Sequence, residues 1–137
     1  MANFQEEISK LVKKHDTNDP FKLARSLGIV ILFYDLGQTY GFFRTYKRVK
    51  TIVINNQLDE WLKRYVCAHE LGHAIIHSDL NTAFLKKNTF YSIGRIEREA
   101  NEFAVNLLLY DKNLKDYDTK FDVLRENGIP YEMERFI

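Results

Sequence analysis

The 137-residue sequence contains 20 Lys and Arg against 19 Asp and Glu, which gives a formal net charge of +1. This balance lacks the basic excess of nucleic-acid-binding domains and of polybasic membrane-binding segments. With 45% hydrophobic residues the chain can bury a core, and its length suits a single domain over residues 1–137. We therefore expect no direct binding to nucleic acid or to a membrane.

Cysteine content and the N-terminal segment bear on the compartment. The single Cys67 excludes an internal disulfide, and it also excludes a zinc module built from several thiolates. Residues 1–14 alternate charged and apolar side chains, so they lack the apolar stretch of a signal peptide. No window approaches the roughly 20 apolar residues that span a membrane. These features predict a cytoplasmic protein.

The first part of the chain predicts two helices followed by a small sheet. Apolar residues at helical spacing predict a helix over residues 4–15, and Asp19-Pro20 suits the start of a second helix that ends near Gly28. The β-branched run 29–33 is typical of a buried strand. Two further strand candidates follow at residues 41–46 and 51–54. We expect these strands to form a small, mostly antiparallel sheet.

The second part of the chain predicts helices. The apolar period changes to 3.6 from residue 58, which predicts a long helix over 58–77 and a second one over 94–110. One more short helix is expected before Gly128, with a terminal turn after Pro130. A small sheet followed by helices is an α+β architecture.

The first long helix carries the sequence His69-Glu-Leu-Gly-His73, which has the form H-E-x-x-H. Histidines four residues apart lie on nearly one face of a helix, so both imidazoles can reach one Zn²⁺. Glu70 lies about 100° round from His69, where it can accept a proton from a water at the metal. The two histidines continue an apolar stripe that includes Leu62 and Val66. The pattern therefore predicts a buried zinc site with Glu70 as its catalytic base.

A catalytic zinc site normally has a third protein ligand, and two candidates follow the motif closely. His77 lies eight residues after His69, about 12 Å along a straight helix, so we expect it to support the site from outside the ligand set or simply to occupy the helix C-terminus. Asp79 occupies the last position of the extended H-E-x-x-H-x-x-G-x-x-H/D pattern. That pattern needs a glycine to turn the chain, and this sequence has Ile76 there.

The second long helix offers a stronger candidate. Glu97 lies on its apolar face, where a lone carboxylate is costly unless it is paired or bound to metal. Glu99 lies on the opposite face and can pair with Arg95 at i,i+4, which explains it as a solvated ion-pair partner. We therefore predict Glu97 as the third ligand, with Glu99 as the alternative. Asn101, one turn beyond Glu97, is a candidate to hydrogen-bond a ligand histidine.

The combination of these segments resembles the ImmA/IrrE family of metallopeptidases. The similarity covers roughly residues 20–110 and is carried by the motif around His69 and by Glu97-Arg-Glu-Ala-Asn101-Glu-Phe-Ala104 with the leucines after it. The resemblance implies a zincin-like fold, zinc bound by His69, His73 and Glu97, and Glu70 as the base. Tyr110-Asp111 departs from the Met-Pro that many relatives carry there.

The resemblance also implies a substrate. It points to a zinc endopeptidase that cleaves a helix-turn-helix transcriptional repressor, often one encoded on a phage or mobile element. A regulatory module that binds a repressor without cleaving it, or a toxin-like component of a two-gene module, are the alternatives, and Glu70 favours the enzyme over the binder. An extended substrate is expected to add to a sheet edge. Three tyrosines could stabilise the oxyanion: Tyr40, Tyr46 and Tyr91.

Overall fold

The computed structural model describes residues 4–81, 84–92 and 94–137 as an α+β fold. The element order is α1 (Gln5–His15), α2 (Pro20–Ser26), β1 (Val30–Tyr34), β2 (Gly41–Tyr46), β3 (Val49–Asn55), α3 (Glu60–Ile76), α4 (Arg95–Leu108) and α5 (Lys120–Glu126). Short 3-10 turns lie at Lys87–Tyr91, Leu114–Asp116 and Tyr131–Phe136. Among the helices formed by the described residues, none has the length and apolar character needed to cross a bilayer. The order of helices and strands confirms the order that the sequence predicted.

Helix α2 begins where the sequence predicted. The Asp19 side chain accepts hydrogen bonds from the backbone N–H groups of Phe21 and Lys22 at 2.8 and 3.2 Å, which satisfies donors at the helix start. Pro20 occupies the first helical position, where its missing N–H costs nothing. Gly28 follows the last turn with a φ of 76°, a left-handed conformation that suits glycine.

The expected small sheet is present, and it is mixed rather than purely antiparallel. Its strand order is β1-β3-β2, with β3 in the centre. Strands β2 and β3 form an antiparallel hairpin, whereas β1 pairs with β3 in parallel. The parallel pair arises because β1 joins the hairpin on the side of its second strand. The hairpin turn has Lys47 and Arg48 at positive φ.

Strand β1 was predicted to be buried, and the structure shows it largely exposed. Val30 and Phe33 are 42% and 41% exposed, and Tyr34 is 56% exposed. The reason is position, because β1 lies at an edge of the sheet. Helix α2 covers it only in part, through contacts such as that of Phe21 with Phe33 (ring centroids 6.2 Å apart). The buried strand of the sheet is instead β3, with Ile52 and Ile54 fully buried.

Helices α3 and α4 form the largest helix–helix contact among the described elements and enclose the centre of the core. Gly72 makes their close approach possible. A Cβ atom at this position would lie 3.1 Å from Phe103 Cδ1 and 3.3 Å from the Ala100 carbonyl oxygen of α4. These distances are shorter than an ordinary carbon contact, so a side chain at position 72 would require Phe103 or the α4 backbone to move by a few tenths of an ångström.

Candidate metal centre

Helix α3 presents His69, Glu70 and His73 inside the protein. All three residues are fully buried, and their potential ligand atoms lie within 4.8 Å of one another. The helix is buried along this stretch because apolar residues from Tyr65 to Ala74 fill the faces around the motif. The rings of His69 and His73 lie edge to face, with centroids 4.8 Å apart. The three motif residues thus form a compact cluster capable of holding a metal ion.

Helix α4 brings Glu97 to the same point. Its Oε1 atom lies 2.7 Å from Nε2 of His73 and 3.2 Å from Nε2 of His69. Glu97 is the first-turn acid of α4, and its side chain is 14% exposed. The structure therefore brings together the two histidines and the glutamate that the sequence predicted as ligands.

The Nδ1 atom of each histidine has a separate partner. Nδ1 of His69 lies 2.8 Å from Oδ1 of Asn101, and the Tyr65 hydroxyl donates to the same oxygen at 2.8 Å. Nδ1 of His73 lies 3.0 Å from Nδ1 of His77. Both residues predicted to support the site, Asn101 and His77, thus contact one of these histidines directly.

The hydrogen-bond partners of His69 indicate its tautomer. The Asn101 amide oxygen can only accept, so Nδ1 of His69 carries the hydrogen. In the neutral ring, Nε2 then has a free lone pair, and this lone pair faces the Glu97 carboxylate at 3.2 Å. Two acceptors face each other at this distance only when a proton or a cation lies between them. The arrangement is suited to a bound metal ion.

The donor set also suits zinc. Two imidazole nitrogens and one carboxylate oxygen are a common ligand set for a catalytic Zn²⁺. Ligand atoms about 2.0–2.1 Å from one tetrahedral ion lie roughly 3.3 Å apart. The separation of 3.2 Å between His69 and Glu97 fits this value, and the 2.7 Å between His73 and Glu97 requires only a small movement of the Glu97 side chain.

Glu70 has no protein partner among the described residues. Both of its carboxylate oxygens are buried and make no hydrogen bond. Burial is the main influence on its pKa, which it raises to about 8; the charge of Glu97 adds to this effect, and His69 opposes it. A buried carboxylate without a partner is costly, so its retention beside the ligands indicates a functional role.

Burial and mutual contacts also shift the pKa values of His73, Glu97 and His69. Burial lowers the pKa of His73 to about 4, although its hydrogen bond with Glu97 opposes the shift. His73 is therefore neutral near pH 7, which is the form that binds metal. Burial acts to raise the pKa of Glu97, but the hydrogen bonds with His69 and His73 outweigh it and hold that pKa well below its usual range. Burial likewise acts to lower the pKa of His69, yet the hydrogen bond with Glu97 raises it overall.

The alternative ligands lie elsewhere. Asp79 is exposed in the turn that follows α3. Glu99 pairs with Arg95 at 3.6 Å as predicted, but the expectation that it is simply a solvated partner was wrong. Its side chain is only 12% exposed, and its Oε1 atom lies 3.0 Å from Nε2 of His77. His77, which follows α3, therefore contacts the face of α4 that the helical period had predicted to face solvent.

The candidate oxyanion tyrosines differ in their surroundings. Tyr46 and Tyr91 are 72% and 63% exposed. Tyr40 is half-buried and packs against Phe90, with ring centroids 5.7 Å apart. Tyr40 also directly precedes Gly41, whose backbone passes beside Glu70. The three tyrosines stay candidates, and Tyr40 is the one adjacent in sequence to the site.

Two residues that position the site were missed from the sequence. Tyr65 precedes His69 by four residues on the same helical face, and this spacing was the available signal for its contact with Asn101. Gly41 begins β2, and a Cβ atom there would lie 2.7 Å from Val66 Cγ1 and 3.8 Å from Glu70 Oε2. No local sequence pattern predicts this contact, because it depends on how the sheet packs on α3.

A cleft of about 530 Å³ gives access to the site beside Glu97. The residues that line it are mostly on α4 and in the segments flanking the two long helices: His77, Leu80, Gly94, Arg95, Ile96, Glu97 and Glu99. The apolar Leu80 and Ile96 are partly exposed in it. The cleft provides room for a ligand next to the one acidic member of the site that solvent reaches.

The chain is similar to known proteins along most of its length. Residues 24–136 match the family model described as the IrrE N-terminal-like domain. The chain is 40% identical over 131 residues to uncharacterized immunity region protein 2 of Bacillus phage phi105, covering 92% of this chain and 83% of that protein. It is 31% identical over 110 residues to metallopeptidase ImmA of Bacillus subtilis (strain 168), covering 80% of this chain and 65% of that protein, just under two thirds of its length. The chain therefore belongs to the ImmA/IrrE family of metallopeptidases.

Proposed function

We propose that this protein is a zinc-dependent endopeptidase. The observation that carries the proposal is the convergence of His69, His73 and Glu97, with the Nε2 atoms of both histidines within 3.2 Å of one carboxylate oxygen. The unpartnered carboxylate of Glu70 beside them supports a catalytic rather than a purely structural site. The metallopeptidase name of the Bacillus subtilis relative supports the same reaction class.

Each residue has a role in this reaction. His69, His73 and Glu97 would hold the ion, and Zn²⁺ with three protein ligands supplies Lewis acidity that polarises a peptide carbonyl and activates water. Glu70 accepts a proton from the attacking water and passes it to the leaving amine. Burial raises the pKa of Glu70, so its carboxylate is a stronger base than that of an exposed glutamate.

Strand β2 is the sheet edge best placed to bind an extended substrate. It is an outer strand of the sheet, and its first residue, Gly41, lies beside Glu70. The other outer strand, β1, is separated from β2 by the central β3. Leu85 already bridges to Gly41 at this edge, with its N–H donating to the Gly41 carbonyl oxygen at 2.9 Å. A peptide adding to β2 would extend or replace this short pairing.

The substrate we propose is a helix-turn-helix transcriptional repressor encoded on a phage or mobile element, acting in the cytoplasm. The phage phi105 relative is named for an immunity region, which supports a phage context. The formal net charge of +1 gives the chain no basic excess of its own, so recognition would occur through the protein substrate rather than through DNA. Cleavage would then release the genes that the repressor controls.

The proposal is tested by incubating the purified chain with the repressor encoded nearest to its gene. Fragments should form in zinc-containing buffer, disappear with a chelator and return when zinc is restored. The Glu70→Gln variant should bind zinc without producing fragments. Chelator-insensitive binding of the repressor with no fragments under any condition would instead favour the non-catalytic binding module. A cut repressor with fully active Glu70→Gln protein would contradict the assigned base.

A further inference from the structure

His77 and Glu99 form a contact chain behind His73. His77 caps the C-terminus of α3, one turn beyond His73, and is 8% exposed. Its Nδ1 atom lies 3.0 Å from Nδ1 of His73, and its Nε2 atom lies 3.0 Å from Oε1 of Glu99 on α4. These contacts therefore connect Glu99 of α4, through His77, to the side of the His73 ring that faces away from Glu97.

When a metal ion is bound to Nε2 of His73, these contacts permit one set of hydrogen positions. A carboxylate only accepts, so Nε2 of His77 donates to Glu99. With its Nε2 atom on the ion, His73 carries its hydrogen on Nδ1 and donates it to Nδ1 of His77. Nε2 of His73 is thereby left with its lone pair, and it points towards Glu97 and His69. This is the tautomer that can bind a metal ion.

The Nδ1 atoms of the two candidate ligand histidines contact different kinds of side chain. Asn101 is an obligate acceptor for His69, because the oxygen of an amide does not donate. His77 can present either a donor or an acceptor at Nδ1, so by itself it does not select a tautomer of His73. Glu99 removes this ambiguity by holding the hydrogen of His77 on Nε2. The ion pair of Glu99 with the 82%-exposed Arg95 adds little, because exposed pairs are weak.

We propose that His77 and Glu99 are a positioning pair that fixes His73 in its metal-binding tautomer and ring orientation. This inference rests on the zinc site of the proposed function, and it assigns Glu99 to His77 rather than to the metal. Partners of this kind orient ligand histidines in metalloproteins, and their loss costs roughly 10–100-fold in metal affinity.

The test is the zinc dissociation constant, measured by competition with a chromophoric chelator. His77→Leu should weaken zinc binding roughly 10–100-fold. His77→Asn should stay close to the wild type, because its amide oxygen can occupy the place of Nδ1 and accept from His73. Asp79→Asn, in the exposed turn beside His77, is the matched control and should leave the affinity unchanged. Thermal unfolding in excess chelator confirms that each variant is folded before zinc is added.

The role of Glu99 is tested by a double-mutant cycle. Glu99→Ala alone should weaken zinc binding, because His77 is then free to take the wrong tautomer. In the His77→Asn background the same substitution should have no further effect, because the shorter asparagine side chain has no counterpart of the Nε2 atom that contacts Glu99. Additive losses would overturn the proposal, since they would mean that Glu99 acts on the metal or on folding directly. If His77→Leu fails to fold, this cycle decides.

The outcomes separate this inference from the metal site itself. Wild-type affinity in His77→Leu and Glu99→Ala, together with loss of zinc in Glu97→Gln, would overturn the positioning pair and keep the proposed site. A wild-type chain that binds no zinc would overturn both.

Discussion

Gly72 of α3 lies directly against Phe103 of α4, so closely that a methyl group on Gly72 would reach 3.1 Å from the aromatic ring. The position is inside the H-E-x-x-H motif, between Glu70 and His73. The contact sets how near α4 comes to α3, and therefore how near Glu97 comes to the two histidines. Packing and metal geometry are thus coupled at one small residue.

Substitution Gly72→Ala should separate these two effects. Overpacking costs about 1–3 kcal/mol, while the better helix propensity of alanine returns about 1 kcal/mol, so stability in chelator should change modestly. Zinc affinity should fall by at least about tenfold, which corresponds to about 1.4 kcal/mol of misplaced ligand. Glu60→Ala, at an exposed position of the same helix, is the control and should leave the zinc affinity unchanged. Unchanged zinc affinity in Gly72→Ala would show that the helices adjust without moving Glu97.

Replacing Glu97 with glutamine should remove most zinc binding. The loss should exceed the roughly 10–100-fold effect of an outer hydrogen bond, because a charged ligand is lost. The same substitution should abolish the thermal stabilisation by zinc. At a free zinc concentration of 100 times the dissociation constant, the wild type gains about 2.7 kcal/mol, and its melting temperature should fall when chelator is added. A chelator-induced shift in Glu97→Gln equal to that of the wild type would place the third ligand elsewhere.

Glu70→Gln should reduce cleavage by about 10²–10⁴-fold, which is the usual contribution of a general base. Zinc content should be unchanged. In chelator near pH 7, the free energy of unfolding should stay close to that of the wild type, because burial raises the pKa of Glu70 to about 8 and its uncharged carboxyl has no hydrogen-bond partner to lose. Urea unfolding in chelator measures this free energy. A strongly destabilised Glu70→Gln protein would mean that the carboxylate stabilises the fold.

The support of His69 can be measured in two steps. Asn101→Ala should weaken zinc binding roughly 10–100-fold, because Nδ1 of His69 loses its only obligate acceptor. Tyr65→Phe removes one hydrogen bond to the same Asn101 oxygen and should cost about 1 kcal/mol of stability, with a smaller effect on zinc. The zinc competition assay and urea unfolding report the two effects. A larger loss of zinc in Tyr65→Phe than in Asn101→Ala would contradict this order.

The helices were predictable from the sequence because their signals are local. Period, cap and breaker residues placed α3 and α4 close to their observed limits, and the inward position of Glu97 followed from the same period. The helical period did not predict that the side chain of Glu99 is largely buried. Its burial depends on His77, which reaches it across the gap between two helices.

The sheet was harder to predict because strand order is a long-range property. A β-branched run such as that of β1 suits a central or an outer strand equally, and only pairing decides which one is covered. Here β3 takes the central position, so β1 is exposed and parallel. The approach of Gly41 to Glu70 arises from the packing of the sheet on α3, and no sequence pattern predicts it.

Helix α4 supplies Glu97, Glu99 and Asn101 within little more than one helical turn. A single residue inserted or deleted just after Asn101 would rotate all three side chains by about 100° relative to the packed remainder of the helix. Coordination, tautomer control of one histidine and support of the other would then disappear together. The centre is therefore expected to be intact or entirely lost in length variants of α4, with no half-functional form between.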